Sequence, residues 1–77
     1  MKIAQILKET RTKFGYTQEQ IAQLMGINYR VYGRYEKGHN EIPIHNLIKL
    51  ADIYGVSLDY LCGRDEARNQ QDGSDVG

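Results

Sequence analysis

Apolar residues recur at three- and four-residue spacing through five successive stretches of the chain, and a glycine closes each stretch. Gly15, Gly26, Gly38, Gly55 and Gly63 fall where a left-handed residue ends a helix. The first helix is predicted from about Lys2 to Lys13, burying Ile3, Ile6, Leu7, Thr10 and Phe14. The second opens at Thr17, with Gln20 three residues later as a capping box and Tyr16 and Ile21 as a hydrophobic staple. Its inward set is Ile21, Leu24 and Met25, with Ala22 small enough to admit a neighbouring helix. The third opens at Asn28, with Ile27 and Tyr32 in staple positions and Val31, Tyr32 and Tyr35 facing inward.

After a polar loop, Pro43 occupies the expected first position of the fourth helix, where its missing N–H costs nothing. Ile44, Leu47, Ile48, Ala51 and Tyr54 then repeat on one side. Ser57 caps a last short helix through about Cys62, and Asp59 lies near its positive end. No segment alternates in the manner of a strand. The pattern predicts an all-α, five-helix domain over residues 1–63.

Residues 64–77 break the pattern. Their only apolar residues are Ala67 and Val76, too few to offset ordering entropy, so a disordered tail is expected, with a frayed helical extension to Ala67 as the alternative. Seventy-seven residues suffice for one small core.

Net charge is zero, but its distribution is uneven. Residues 1–63 carry eight Lys and Arg against six Asp and Glu, and residues 64–77 carry two against four. A nucleic-acid partner responds to local charge, because attraction is screened within about 10 Å at moderate salt. Neutrality therefore predicts modest non-specific affinity and leaves specific binding open. The single cysteine, Cys62, excludes an internal disulfide and suits a core position in a reducing compartment. Neither a signal peptide nor a membrane-spanning run is apparent, so a soluble cytoplasmic chain is expected.

His39 and His45 lack acidic or thiol partners at zinc spacing. Ser57, His45 and Asp52 name a triad, but so small a domain offers no pocket to mount it, and no glycine loop for phosphate is present. The expectation is a non-enzyme without a cofactor. Tyr16, Tyr32, Tyr35 and Tyr54 suit the core better than a base-stacking surface.

One feature points to a partner. Arg30, Arg34 and Lys37 stand at i, i+4 and i+7, which puts three cations on one stripe of the third helix. Such stripes are usually solvated faces, and Arg34 has Glu36 nearby on its own helix. Here the stripe coincides with two capped helices joined by a glycine turn. That geometry leaves the second helix with a free outer face carrying Tyr29, Arg30, Gly33, Arg34 and Lys37. Arginine suits the two acceptors of guanine, and Tyr29 offers a hydroxyl or a ring edge. Gly33 costs about 1 kcal/mol in a helix, so it either avoids a collision, with DNA backbone for instance, or is tolerated in a short helix.

The string TQEQIAQLMGINYRVYGRYEKG, followed by EIP and then LIKLADIYGVSLDYLCG, resembles the Cro and phage-repressor (Xre) type of helix-turn-helix domain. The resemblance spans Ile3 to Gly63 and implies a lambda-repressor-like fold. Ala22 matches the small residue of its first motif helix, Gly26 the turn glycine, and Tyr32 and Tyr35 the core positions of the recognition helix. It implies base contacts from Tyr29, Arg30 and Arg34, and phosphate contacts from Gln18, Lys37, His39 and Asn40. It further implies a structural pair between Arg11 and Glu36. Tyr32 is larger than the usual aliphatic residue, Gly33 replaces a usually polar one, and Glu41 stands where phage members often carry a cation; these departures bear on which DNA is read.

The resulting expectation is a sequence-specific regulator of double-stranded DNA, a repressor, acting as a homodimer on half-sites about one helical turn apart. Val56, Leu58 and Tyr60 are the candidate dimer surface. The competing reading is a helix-turn-helix scaffold used as a protein-interaction module, an antitoxin or anti-repressor, with near-neutral charge in its favour.

Overall fold

The computed structural model of the chain describes residues 3–64. Of the tail expected over residues 64–77, Arg64 is described, its N–H donating to the Asp59 carbonyl at 2.8 Å, and residues 65–77 lie outside the described residues, as does the helix start at Lys2. Five helices follow in order: α1 (Ile3–Lys13), α2 (Gln18–Met25), α3 (Tyr29–Glu36), α4 (Ile44–Tyr54) and α5 (Leu58–Leu61). Among the described residues there is no strand, and no helix is long and apolar enough to cross a membrane.

Local chemistry sets the helix ends as the sequence predicts. Gln20 N–H donates to Thr17 Oγ1 at 3.0 Å while Thr17 N–H donates to Gln20 Oε1 at 2.9 Å, completing the capping box. Asn28 accepts from Arg30 N–H at 2.7 Å and Ser57 from Tyr60 N–H at 3.0 Å. The five glycines that close the stretches, Gly15, Gly26, Gly38, Gly55 and Gly63, all take the left-handed conformation. Pro43 differs from expectation. It is the N-cap of α4 rather than its first helical residue, because its extended backbone (φ −65°, ψ 153°) lets its carbonyl accept the first helical bonds.

The core gathers Leu7 from α1, Ile21, Ala22 and Met25 from α2, Tyr32 and Tyr35 from α3, Leu47, Leu50, Ala51 and Tyr54 from α4, and Leu61 from α5. The period of each stripe is as predicted, but the phase is not. In α4 the buried set is Asn46, Leu47, Leu50, Ala51 and Tyr54, while Ile44 (62 %) and Ile48 (44 %) are exposed. Apolar residues cover more than half of this helix, so periodicity alone leaves its rotation free. Two polar contacts accompany the choice: buried Asn46 donates to Tyr35 Oη at 3.2 Å, and Lys49 Nζ donates to the Met25 carbonyl at 3.0 Å.

Leu24, Val31 and Phe14, all expected inside, are likewise exposed. Phe14 lies beyond the last turn of α1 and covers Tyr54 with ring centroids 4.9 Å apart, so it shields the core edge rather than filling it. Leu24 and Val31 sit on the flanks of eight-residue helices that bury only Ile21, Ala22 and Met25 or Tyr32 and Tyr35. Val56, Leu58 and Tyr60 are half-buried against the core and have only part of their surface to offer a second copy.

Candidate nucleic-acid interface

Helix α3 is anchored from beneath. Tyr32 is fully buried and Tyr35 is 7 % exposed, each a full turn of apolar bulk that fixes the rotation of the helix. With that rotation fixed, Tyr29, Arg30 and Arg34 are all exposed on the other side, the first two in the opening turn and Arg34 one turn on. The Arg30 guanidinium lies over the Tyr29 ring, 5.9 Å from its centroid, so the two side chains at the helix tip are in contact. Lys37, at the C-terminal cap, and His39, in the loop beyond it, are also exposed.

Arg34 makes no pair with Glu36, because Glu36 is committed elsewhere. Arg11 Nε and Nη2 donate to its two carboxylate oxygens at 2.7 and 3.2 Å, and Arg11 Nη1 donates to the Tyr16 carbonyl at 2.8 Å. The side chains of this pair are 14 % (Arg11) and 3 % (Glu36) exposed. It clamps the end of α3 to α1, as the family resemblance implied. The Tyr32 hydroxyl stands near the same carboxylate, off hydrogen-bond geometry, and its pKa is pushed far up, first by burial and then by the negative charge.

Gln18, expected on a phosphate, is half-buried, and its Nε2 donates to Glu36 Oε1 at 2.9 Å. One amide N–H remains for a phosphate. A Cβ at position 33 would stand 3.4 Å from Gln18 Oε1, an ordinary van der Waals contact, so the fold itself leaves room for an alanine at Gly33. The bond from Gln18 to Glu36 spans eighteen residues of sequence, and no local pattern reports it.

Burial alone would raise the Glu36 pKa, but the hydrogen bonds from Arg11 and Gln18 and the Arg11 charge outweigh it and hold the group below its ordinary 4.5. Unfolded, Glu36 titrates at its ordinary value. Between the two values the unfolded chain binds the extra proton, so stability is lost as pH falls through the folded-state pKa. Thermal melts taken from neutral pH down to below the carboxylate range should show this loss. Glu36→Gln should melt lower at neutral pH but with a shallower pH dependence; an unchanged pH dependence would remove Glu36 from the account.

The helix-turn-helix family profile matches residues 7–61, nearly the whole described domain. The chain belongs to the Cro/phage-repressor helix-turn-helix family. Among helix-turn-helix relatives, it is 36 % identical over 72 residues to the HTH-type transcriptional regulator ImmR of Bacillus subtilis, covering 94 % of this chain and 57 % of that protein. It is 46 % identical over 55 residues to the SPbeta prophage-derived uncharacterized HTH-type transcriptional regulator YonR of the same organism, covering 71 % and 51 %. It is 41 % identical over 64 residues to the cryptic phage CTXphi transcriptional repressor RstR of Vibrio cholerae, covering 83 % and 57 %. The chain thus spans about half the length of these helix-turn-helix relatives. No solved structure was found to match it. Within the family frame α2 and α3 are the two motif helices, and α3 is the recognition helix.

Proposed function

We propose that this chain is a cytoplasmic, sequence-specific reader of double-stranded DNA that represses transcription, with α3 in the major groove. The observation that carries this reading is the division of α3. Buried Tyr32 and Tyr35 and the Glu36 clamp hold one side, and Tyr29, Arg30 and Arg34 are left exposed on the other. In this reading the three exposed residues meet base edges, and Gln18, Lys37 and His39 meet phosphates. The names of ImmR and RstR, a transcriptional regulator and a transcriptional repressor, agree with it. Two copies on adjacent half-sites would supply the interface area that one small domain lacks.

The test is binding to duplexes selected from a random pool, followed by fluorescence anisotropy at rising salt. A selected site should bind at least a hundredfold more tightly than random duplex, given the range usual for specific readers (about 10³–10⁷). Affinity should fall log-linearly with salt, by about 0.9 in slope for each phosphate neutralised. If no selected duplex outcompetes random DNA even at low salt, the reading fails, and the protein-interaction module becomes the better account.

A further inference from the structure

Helix α3 does not simply stop after Glu36; it folds back on itself. Gly38, at φ +76°, turns the chain so that its N–H donates to the Tyr35 carbonyl at 3.1 Å and His39 N–H donates to the Arg34 carbonyl at 3.0 Å. Asn40 N–H leans on that same carbonyl at 3.4 Å, which brings Asn40 alongside Arg34. In the amide orientation that satisfies both of its ends, Asn40 Oδ1 accepts from Arg34 Nε at 3.1 Å and Nδ2 donates to the His39 carbonyl at 2.9 Å. The opposite orientation would set oxygen against carbonyl oxygen and the NH₂ group against an N–H.

We infer that Asn40 is a positioning residue for DNA reading, one that holds Arg34 by its Nε so that the far edge of the guanidinium faces the bases. This rests on the proposed role of Arg34 as a base reader. The guanidinium has five N–H donors in a rigid plane, and the Nε donor is spent on Asn40. The two terminal nitrogens remain, and their parallel donors match the O6 and N7 acceptors of one guanine. An exposed arginine without such a partner must surrender its rotamer freedom when it binds, whereas one already held has less to lose. The family resemblance implied a phosphate contact for Asn40; here its amide oxygen is taken by Arg34 and one N–H by the His39 carbonyl, which leaves one N–H of the NH₂ group. The device depends on the glycine turn: a residue with a side chain is strained at φ +76°, and the turn is what returns Asn40 to Arg34.

The experiment is a cycle of Arg34→Ala, Asn40→Ala and the double variant, measured on a selected duplex and on duplexes changed one base pair at a time. Arg34→Ala identifies the base pair that Arg34 reads. Asn40→Ala should lower discrimination at that same pair about fivefold, within the range a bidentate contact supplies, and should change nothing further in the Arg34→Ala background. Asn40→Asp, which keeps an oxygen acceptor for Nε, should preserve the discrimination ratio even if its charge weakens binding to every duplex. In the free protein, the Arg34 Nε–H resonance should lose its protection from solvent exchange in Asn40→Ala.

An Asn40→Ala loss that is equal for all duplexes and additive with Arg34→Ala would make Asn40 a phosphate contact and overturn the proposal. If Arg34→Ala relaxes discrimination at no base pair, the base-reading role of Arg34 fails first, and the positioning role falls with it.

Discussion

Replacing Glu36 with alanine should destabilise the domain by about 3 kcal/mol, the low end of what breaking a buried ion pair costs. The residue is small in the sequence and central in the structure. Its carboxylate accepts two bonds from Arg11 and one from Gln18, and its side chain is 3 % exposed. Removal strands the Arg11 guanidinium, 14 % exposed, with only the Tyr16 carbonyl to satisfy it. A folded unit of this size has a total stability of roughly 3–9 kcal/mol, so the variant should be close to half-unfolded or melt some 15 °C lower. Differential scanning calorimetry and urea melts give the number. Arg11→Ala should cost a similar amount, and the double variant little more than either single one, because each removes the same interaction. A loss below about 0.5 kcal/mol in Glu36→Ala, the range of ordinary surface changes, would show that the clamp holds nothing. Arg11→Met combined with Glu36→Leu should recover much of the lost stability, since apolar packing serves a buried site as well as an ion pair does.

The second large effect belongs to the two arginines proposed to read bases. Arg30→Ala and Arg34→Ala should each weaken binding to a selected site by about 1–3 kcal/mol and should each relax preference at a different base pair. Both side chains are exposed and outside the core, so melting temperatures should hardly move, which separates this loss from that of Glu36→Ala. Lys37→Ala, at the cap of α3, should weaken all duplexes alike and make the salt slope shallower by about one. Quantitative binding on a panel of single-pair variants distinguishes the two classes. If both arginine variants lose affinity evenly across the panel, they hold phosphates, and α3 is not read base by base.

These two effects differ in how far the sequence announces them. The arginines are plain in it: their i, i+4 spacing, between a capping asparagine and a glycine, puts them on one face of a short helix whatever the rest of the chain does. Helix number, helix ends and the free face of α3 are legible for the same reason. Each is fixed by chemistry within about four residues: a cap that accepts an N–H, a glycine that takes positive φ, and bulky tyrosines at Tyr32 and Tyr35 that must go inward. The Arg11–Glu36 pair was visible only through the likeness to a family, because its partners lie twenty-five residues apart.

Only the tertiary structure decided the phase of the apolar stripes and the polar contacts that bind helix to helix. Leu24, Val31, Ile44 and Ile48 are as apolar as their buried neighbours, and a helical period accommodates them inside equally well. Their exposure follows from how few positions of each short helix a small core can cover, and for α4 Asn46 meets Tyr35 on the inward side. The exposed face of α3 divides the same way. That the Gln18 amide lies beside Gly33 and bonds Glu36 depends on where two helices meet in space, whereas Asn40 reaches back to Arg34 through the local Gly38 turn. Local periodicity told which residues α3 presents. Long-range packing decided how the helix beneath them is anchored.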